Sequence, residues 1–253
     1  MRFLFRFIPH LLGIAAAGSL LAVHFSPERW WLWGVGFSIC MSYGLFVFFG
    51  GTLRSRDFWN AYLLMLLFYW ATFSFFLYFE NTWERIAFAV FIGSLVGIFM
   101  EQLYRWFYGD RNVPSYSLTV NIAILEILTV CTGAASFLGF RMFLRLPVWA
   151  LTIVFGALAV VLYIIARGSR QSIRSLVLPA MVVGLFFGEL MLAVIFLPTG
   201  FMIGGAFIGV VWYLLVGLLR ASETGVSLRK PMIRYTAFAS ALVVLLAVTA
   251  RWL

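Results

Sequence analysis

The sequence predicts an all-α polytopic membrane protein of about nine transmembrane helices, with a cytoplasmic N-terminus, short loops and no soluble domain. Three observations predict it. Hydrophobic residues make up 64% of the 253 positions and charged residues 11%. Nine apolar runs are each long enough to cross a bilayer, and basic residues concentrate in alternate connections. A water-soluble chain with only 18 basic and 9 acidic side chains would leave wide apolar patches facing water, whereas lipid suits such a composition.

A helix rising 1.5 Å per residue needs about 20 apolar residues to cross about 30 Å of hydrocarbon. Runs of that length lie near 8–24, 31–51, 59–79, 86–107, 117–139, 147–166, 176–197, 200–219 and 235–252, which makes 1–253 a single transmembrane domain. The first run follows Arg2 and Arg6 and contains Ala15, Ala16, Ala17 and Gly18, a pattern shared with cleavable leaders. Pro9 at its start and Ser26–Pro27 after it suit a retained span, which is the expectation here.

Charges between the runs test this segmentation, because connections on the cytoplasmic side carry the excess of basic residues. On one side fall Arg2, Arg6, Arg54, Arg56, Arg105, Arg111, Arg167, Arg170, Arg174, Arg220, Arg229, Lys230 and Arg234, thirteen in all. On the other fall five: Arg29, Arg85, Arg141, Arg145 and Arg251. Thirteen against five sets an odd number of spans with the N-terminus inside. The connection from Arg141 to Pro147 carries two arginines and no acid on the outer side, which leaves a re-entrant segment near 137–149 as an alternative.

The net charge of +9 does not point to nucleic acid, because the basic residues sit between apolar runs and form no stripe interleaved with polar residues. They suit topology control and anionic lipid headgroups, with Arg167, Arg170, Arg174, Arg229, Lys230 and Arg234 as the expected contacts. Trp30, Trp31, Trp33, Trp59, Trp83, Trp106 and Trp149 cluster at run ends, where indole rings straddle the headgroup boundary. Cys40 and Cys131 both lie inside apolar runs as small hydrophobes, and no structural disulfide is expected. His10 and His24 flank the first run near opposite faces and cannot share a metal; no metal or cofactor is expected.

Three acidic residues fall within spans. Glu101 precedes Arg105 by four residues near the cytoplasmic end of span four, an i, i+4 pair able to hold itself at the interface. Glu126 and Glu189 lie well inside spans five and seven, and no mid-span Lys or Arg is evident in the sequence to neutralise them. Such carboxylates are protonated, face a watery cavity, bind a cation or accept hydrogen bonds from neighbouring helices.

Glu126 shares its stretch of helix with Thr119, Asn121, Ala123, Thr129, Thr132, Gly133 and Ser136, a small and polar face expected to look inward. Ala180, Gly184 and Gly188 precede Glu189 at four-residue spacing, which lets a neighbouring backbone come close. Spans seven and eight are joined by Leu197, Pro198, Thr199 and Gly200, either an ordinary tight turn or a break exposing carbonyls to a cation. Span three is aromatic all round, which suits packing, lipid or an isoprenoid ligand.

Enzyme signatures fail in turn: there is no HExxH zinc motif, no GxSxG elbow and no phosphate loop. Lys230 is the only lysine and lies in a loop, so a retinal Schiff base is excluded. Asp57 and Asp110, the only aspartates, also lie in loops, which excludes an aspartyl intramembrane protease.

Three functions stay open. In the leading one, a small carrier or channel-like protein, Glu126 and Glu189 line a cation- or proton-accessible cavity shaped by Asn121, Thr129, Pro198 and Gly200. The second is a non-catalytic subunit or sensor that docks partner helices, forms a homo-oligomer or binds lipid. The third is an enzyme on a lipid-linked substrate, its phosphate held by Arg167, Arg170 and Arg174, with no evident nucleophile. Compact loops and the arginine bias suit a prokaryotic inner membrane.

Overall fold

A computed structural model describes residues 6–49, 56–108, 115–167, 173–223 and 229–249. Among these residues nine long helices follow one another: α1 (Ile8–Phe25), α2 (Trp30–Phe48), α3 (Arg56–Phe76), α4 (Thr82–Tyr108), α5 (Ser115–Leu144), α6 (Val148–Arg167), α7 (Ile173–Ile195), α8 (Phe201–Glu223) and α9 (Arg229–Thr249). Each contains a stretch long and apolar enough to span a bilayer. The chain is therefore a multi-pass helical membrane protein.

The expected spans agree with these helices, with one informative difference. Helix α5 does not stop near 139 but runs unbroken to Leu144, 30 residues in all. The arginines that raised a re-entrant alternative belong to its end. Arg145 follows in the left-handed conformation at φ 53°, Arg141 Nη1 donates to the Leu146 carbonyl at 3.3 Å, and Pro147 opens α6. A left-handed residue followed by proline is how a helix ends sharply, so residues 145–147 form a tight turn.

The chain divides into two compact units, and α5 and α6 contribute to both. The first contains residues 1–126 and 165–171. Its tightest packing is α1 on α4. A Cβ on Gly93 would fall 2.6 Å from the Gly13 carbonyl oxygen and 2.8 Å from the Ala17 Cβ, so the two backbones touch. Lipid tails are as apolar as leucine, so close contact between small residues drives such pairing.

Helix α3 supplies the aromatic core of this unit: Phe68, Tyr69, Phe73 and Phe76 are almost wholly buried. Tyr69 packs on Phe37 of α2 with ring centroids 4.2 Å apart, and its hydroxyl meets Ser19 Oγ of α1 at 2.8 Å. Packing thus accounts for the aromatic content of span three. Where α1 ends and α4 begins, Arg85 donates to the Phe79 carbonyl at 2.7 Å and lies 3.0 Å from His24 Nδ1.

The second unit contains residues 127–164 and 172–253. Glycines again set the crossings. Gly156 of α6 faces Gly184 and Gly188 of α7. Gly205 of α8 lies so close to α5 that a Cβ there would fall 2.6 Å from both the Cys131 carbonyl and the Ala135 Cβ. Helix α9 lies on α8 through Tyr235, which covers Gly217 and meets Tyr213, and the rest of α9 is largely exposed. In both units the seven tryptophans at helix ends are exposed, as an interfacial belt requires.

Candidate functional site

The carboxylates within the spans have opposite environments. Glu126 is fully buried, eighteen residues or about 27 Å along α5 from Leu144. The face it shares is buried with it: Thr129 and Ser136 are enclosed, and so is Thr132. Thr132 and Ser136 donate back to the Leu128 and Thr132 carbonyls, each at 2.7 Å, which satisfies hydroxyls locally inside a helix. Asn121 is half-buried, and its Nδ2 makes no hydrogen bond.

Glu189 instead is exposed on the surface of α7, six residues or about 9 Å from the helix's end at Ile195. It lies in a groove of about 660 Å³ between α6 and α7. The floor is the glycine crossing, where Gly156 meets Gly184 and Gly188. Ile153, Leu178, Met181, Val182 and Leu185 form an exposed apolar rim.

The groove has a direction. Its two polar side chains, Thr152 and Glu189, both lie towards the end where α6 begins and α7 finishes, because Gly188 packs against the Thr152 carbonyl. Towards Val160 and Leu178 every remaining side chain is apolar. Helix α7 also carries Pro179 in its interior, next to Leu178 on the rim. A proline removes one backbone hydrogen bond and is tolerated in transmembrane helices where neighbours re-satisfy the freed carbonyl.

Other expected site residues fall elsewhere. Glu126 is not among the side chains lining the groove that holds Glu189. The Pro198–Gly200 segment is an ordinary turn: Thr199 N–H donates to the Leu197 carbonyl at 2.8 Å, and the Gly200 carbonyl accepts from Ile203 and Gly204. Pro198 and Thr199 line a small pocket of about 200 Å³ together with Arg141, whose charge opposes a cation there. Arg105 pairs with Glu101 at 2.5 Å, with both side chains exposed.

Of the arginines expected at lipid headgroups, Arg174 and Arg234 are exposed. Arg170 lies outside the described residues, as do the side chains of Arg229 and Lys230. Arg167 departs from expectation. It is only 4% exposed, so its guanidinium is enclosed by protein and not offered to headgroups. A basic residue at the end of an apolar run looks like an interfacial anchor in sequence, and only packing reveals that this one turns inward.

Residues 7–249 match a family described as protein of unknown function (DUF5656). The chain belongs to this family. No curated protein and no solved structure matches it significantly. The membership spans all nine helices, so the groove and both glutamates fall within the matched region.

Proposed function

We propose that this DUF5656 protein is a non-catalytic membrane module that holds a lipid-like amphiphile in the α6–α7 groove, with Glu189 accepting a hydrogen bond from an ammonium or hydroxyl headgroup. The observation that carries the reading is the exposed Glu189 at the outer, polar end of an otherwise apolar groove. An ionisable side chain facing hydrocarbon is costly unless something polar covers it. A volume of about 660 Å³ is of ligand size. The gradient from Thr152 and Glu189 to Leu178 matches a molecule with its headgroup near the outer surface and its tail running inward.

Photo-crosslinking in lipid nanodiscs tests this. A photoreactive long-chain amine should label peptides spanning residues 152–160 and 178–192 saturably, more than the fatty acid of the same chain length does. Glu189→Gln should cut that preference while the fold stays intact. Equal labelling by both probes, or no loss in the variant, would overturn the reading.

The carrier alternative requires Glu126 and Glu189 to share one cation- or proton-accessible cavity, and the outward direction of Glu189 argues against it. Sodium or proton flux into proteoliposomes, abolished by Glu126→Gln and by Glu189→Gln alike, would restore it. We further propose a prokaryotic inner membrane as the location, on the strength of the compact loops and arginine-rich inner side. Recovery of the protein in another membrane fraction would refute that placement.

A further inference from the structure

We infer that the pocket between the end of α5 and the α7–α8 turn holds the phosphate of an anionic phospholipid, gripped by Arg141, while one acyl chain enters the adjoining hollow between α8 and α9. Two cavities of the second unit carry this. The first, of about 200 Å³, has Arg141 and Thr199 in its wall, with Leu138 and Phe201 beside them. The second, of about 150 Å³, lies between Ile203 and Phe207 of α8 and Val243 and Leu246 of α9, with Thr199 its only polar side chain. Val194, Leu197 and Thr199 line both, so the two adjoin.

No acid of the protein balances the charge in the first cavity. The carboxylates of this unit are Glu189 and Glu223, and neither lines either cavity. Arg141 is exposed, and its Nη1 donates to the Leu146 carbonyl at 3.3 Å, which orients the guanidinium. Among the described residues its other donors and the Thr199 hydroxyl have no protein partner. A guanidinium fork matches the oxygens of a phosphate, and a hydroxyl adds a further donor. Helix α8 begins at Phe201 in the same wall, and the positive end of its dipole adds to the attraction.

The level suits a headgroup. Arg141 is three residues from the end of α5 at Leu144, and exposed Trp149 stands at the start of α6. Indoles at helix ends mark the boundary between hydrocarbon and headgroups, where lipid phosphates lie.

The second cavity exists because α9 leaves α8. At one end of this pair Tyr235 covers Gly217, where a Cβ would fall 2.7 Å from the ring. Towards the start of α8 a Cβ on Gly204 would instead meet Leu138 at 2.6 Å and Val194 at 2.9 Å, on α5 and α7. The hollow left beside α9 is of a size that accepts a benzene-sized apolar group, hence a short stretch of acyl chain. Free phosphate would leave that hollow empty, and a neutral lipid would leave Arg141 uncompensated. This site shares no lining residue with the groove at Glu189 and does not depend on it.

Native mass spectrometry of delipidated full-length protein in a neutral detergent tests the site. Dioleoyl phosphatidylglycerol should occupy one tight site, and dioleoylglycerol should bind far more weakly. Arg141→Gln should weaken phosphatidylglycerol binding about tenfold, whereas Arg174→Gln, which lines neither cavity, should leave it unchanged. Ala247→Phe, which fills the second cavity with Arg141 intact, should weaken it too and decides the matter should Arg141→Gln fail to fold. Equal binding of dioleoylglycerol, or unchanged affinity in Arg141→Gln or Ala247→Phe, would overturn the inference. Inorganic phosphate displacing the lipid at equal concentration would show a free-anion site and overturn the lipid assignment.

Discussion

Gly13 and Gly93 meet backbone to backbone: a Cβ on Gly13 would lie 2.7 Å from the Gly93 carbonyl oxygen, and one on Gly93 2.6 Å from that of Gly13. Neither position has room for a methyl group unless α1 and α4 move apart.

Gly93→Ala should therefore destabilise the protein by about 1–3 kcal/mol, the usual range for overpacking. Gly36→Ala is the control. A Cβ there meets nothing within 4 Å, and alanine favours the helix by up to about 1 kcal/mol over glycine. Thermal melting in one detergent compares the two, and an unchanged Gly93→Ala protein would contradict the close contact.

The Ser19–Tyr69 bond predicts an asymmetry. Ser19 Oγ also donates to the Ala16 carbonyl at 2.8 Å, so it keeps a partner in Tyr69→Phe, which should cost about 0.5–1.5 kcal/mol. Ser19→Ala leaves the buried Tyr69 hydroxyl without its partner and should cost more, about 1–3 kcal/mol. Equal melting temperatures for the two variants would show that the bond matters little.

Arg85 ties the start of α4 to the end of α1 and to the preceding connection through two acceptors, His24 Nδ1 and the Phe79 carbonyl. A lysine is a single-point donor and lacks the forked guanidinium that reaches both. Arg85→Lys should cost about 1–2 kcal/mol despite conserving charge, whereas Arg174→Lys, at an exposed position, should leave Tm unchanged. Equal effects would remove the forked contact from consideration.

Tyr78, in the connection between α3 and α4, has its phenol pushed up to about 12 by burial. Folding then favours the neutral phenol. That contribution is complete below the unfolded value near pH 10 and is lost as pH rises through about 12. Spectrophotometric titration of native protein against Tyr78→Phe should show one late phenolate missing from the variant. A missing step centred near pH 10 would contradict the burial.

Much of the architecture was legible because the relevant quantities are local. Trp83 and Trp149 mark helix ends by type alone, and the run from Val148 to Arg167 is recognisable by length. The Arg141–Pro147 stretch was harder, since a helix overrunning the hydrocarbon and a re-entrant segment share the same composition. What separates them is the left-handed turn at Arg145.

The candidate site was legible in its residue types and not in its geometry. Glu189 and the neighbouring glycines stand out in the sequence, yet nothing there says that the carboxylate faces outward. Gly156, which completes the groove floor, sits on another helix.

The sequence by itself determined the solvent and the nine apolar runs long enough to cross it, because transfer of apolar runs is set segment by segment. Only the tertiary structure decided that Glu126 and Arg167 turn inward and Glu189 outward. In lipid both the inner and outer faces of a helix are apolar, so the periodicity that marks a buried face in water is weak. Which face meets a neighbour then depends on where glycines let two backbones touch, and that is a property of pairs of helices.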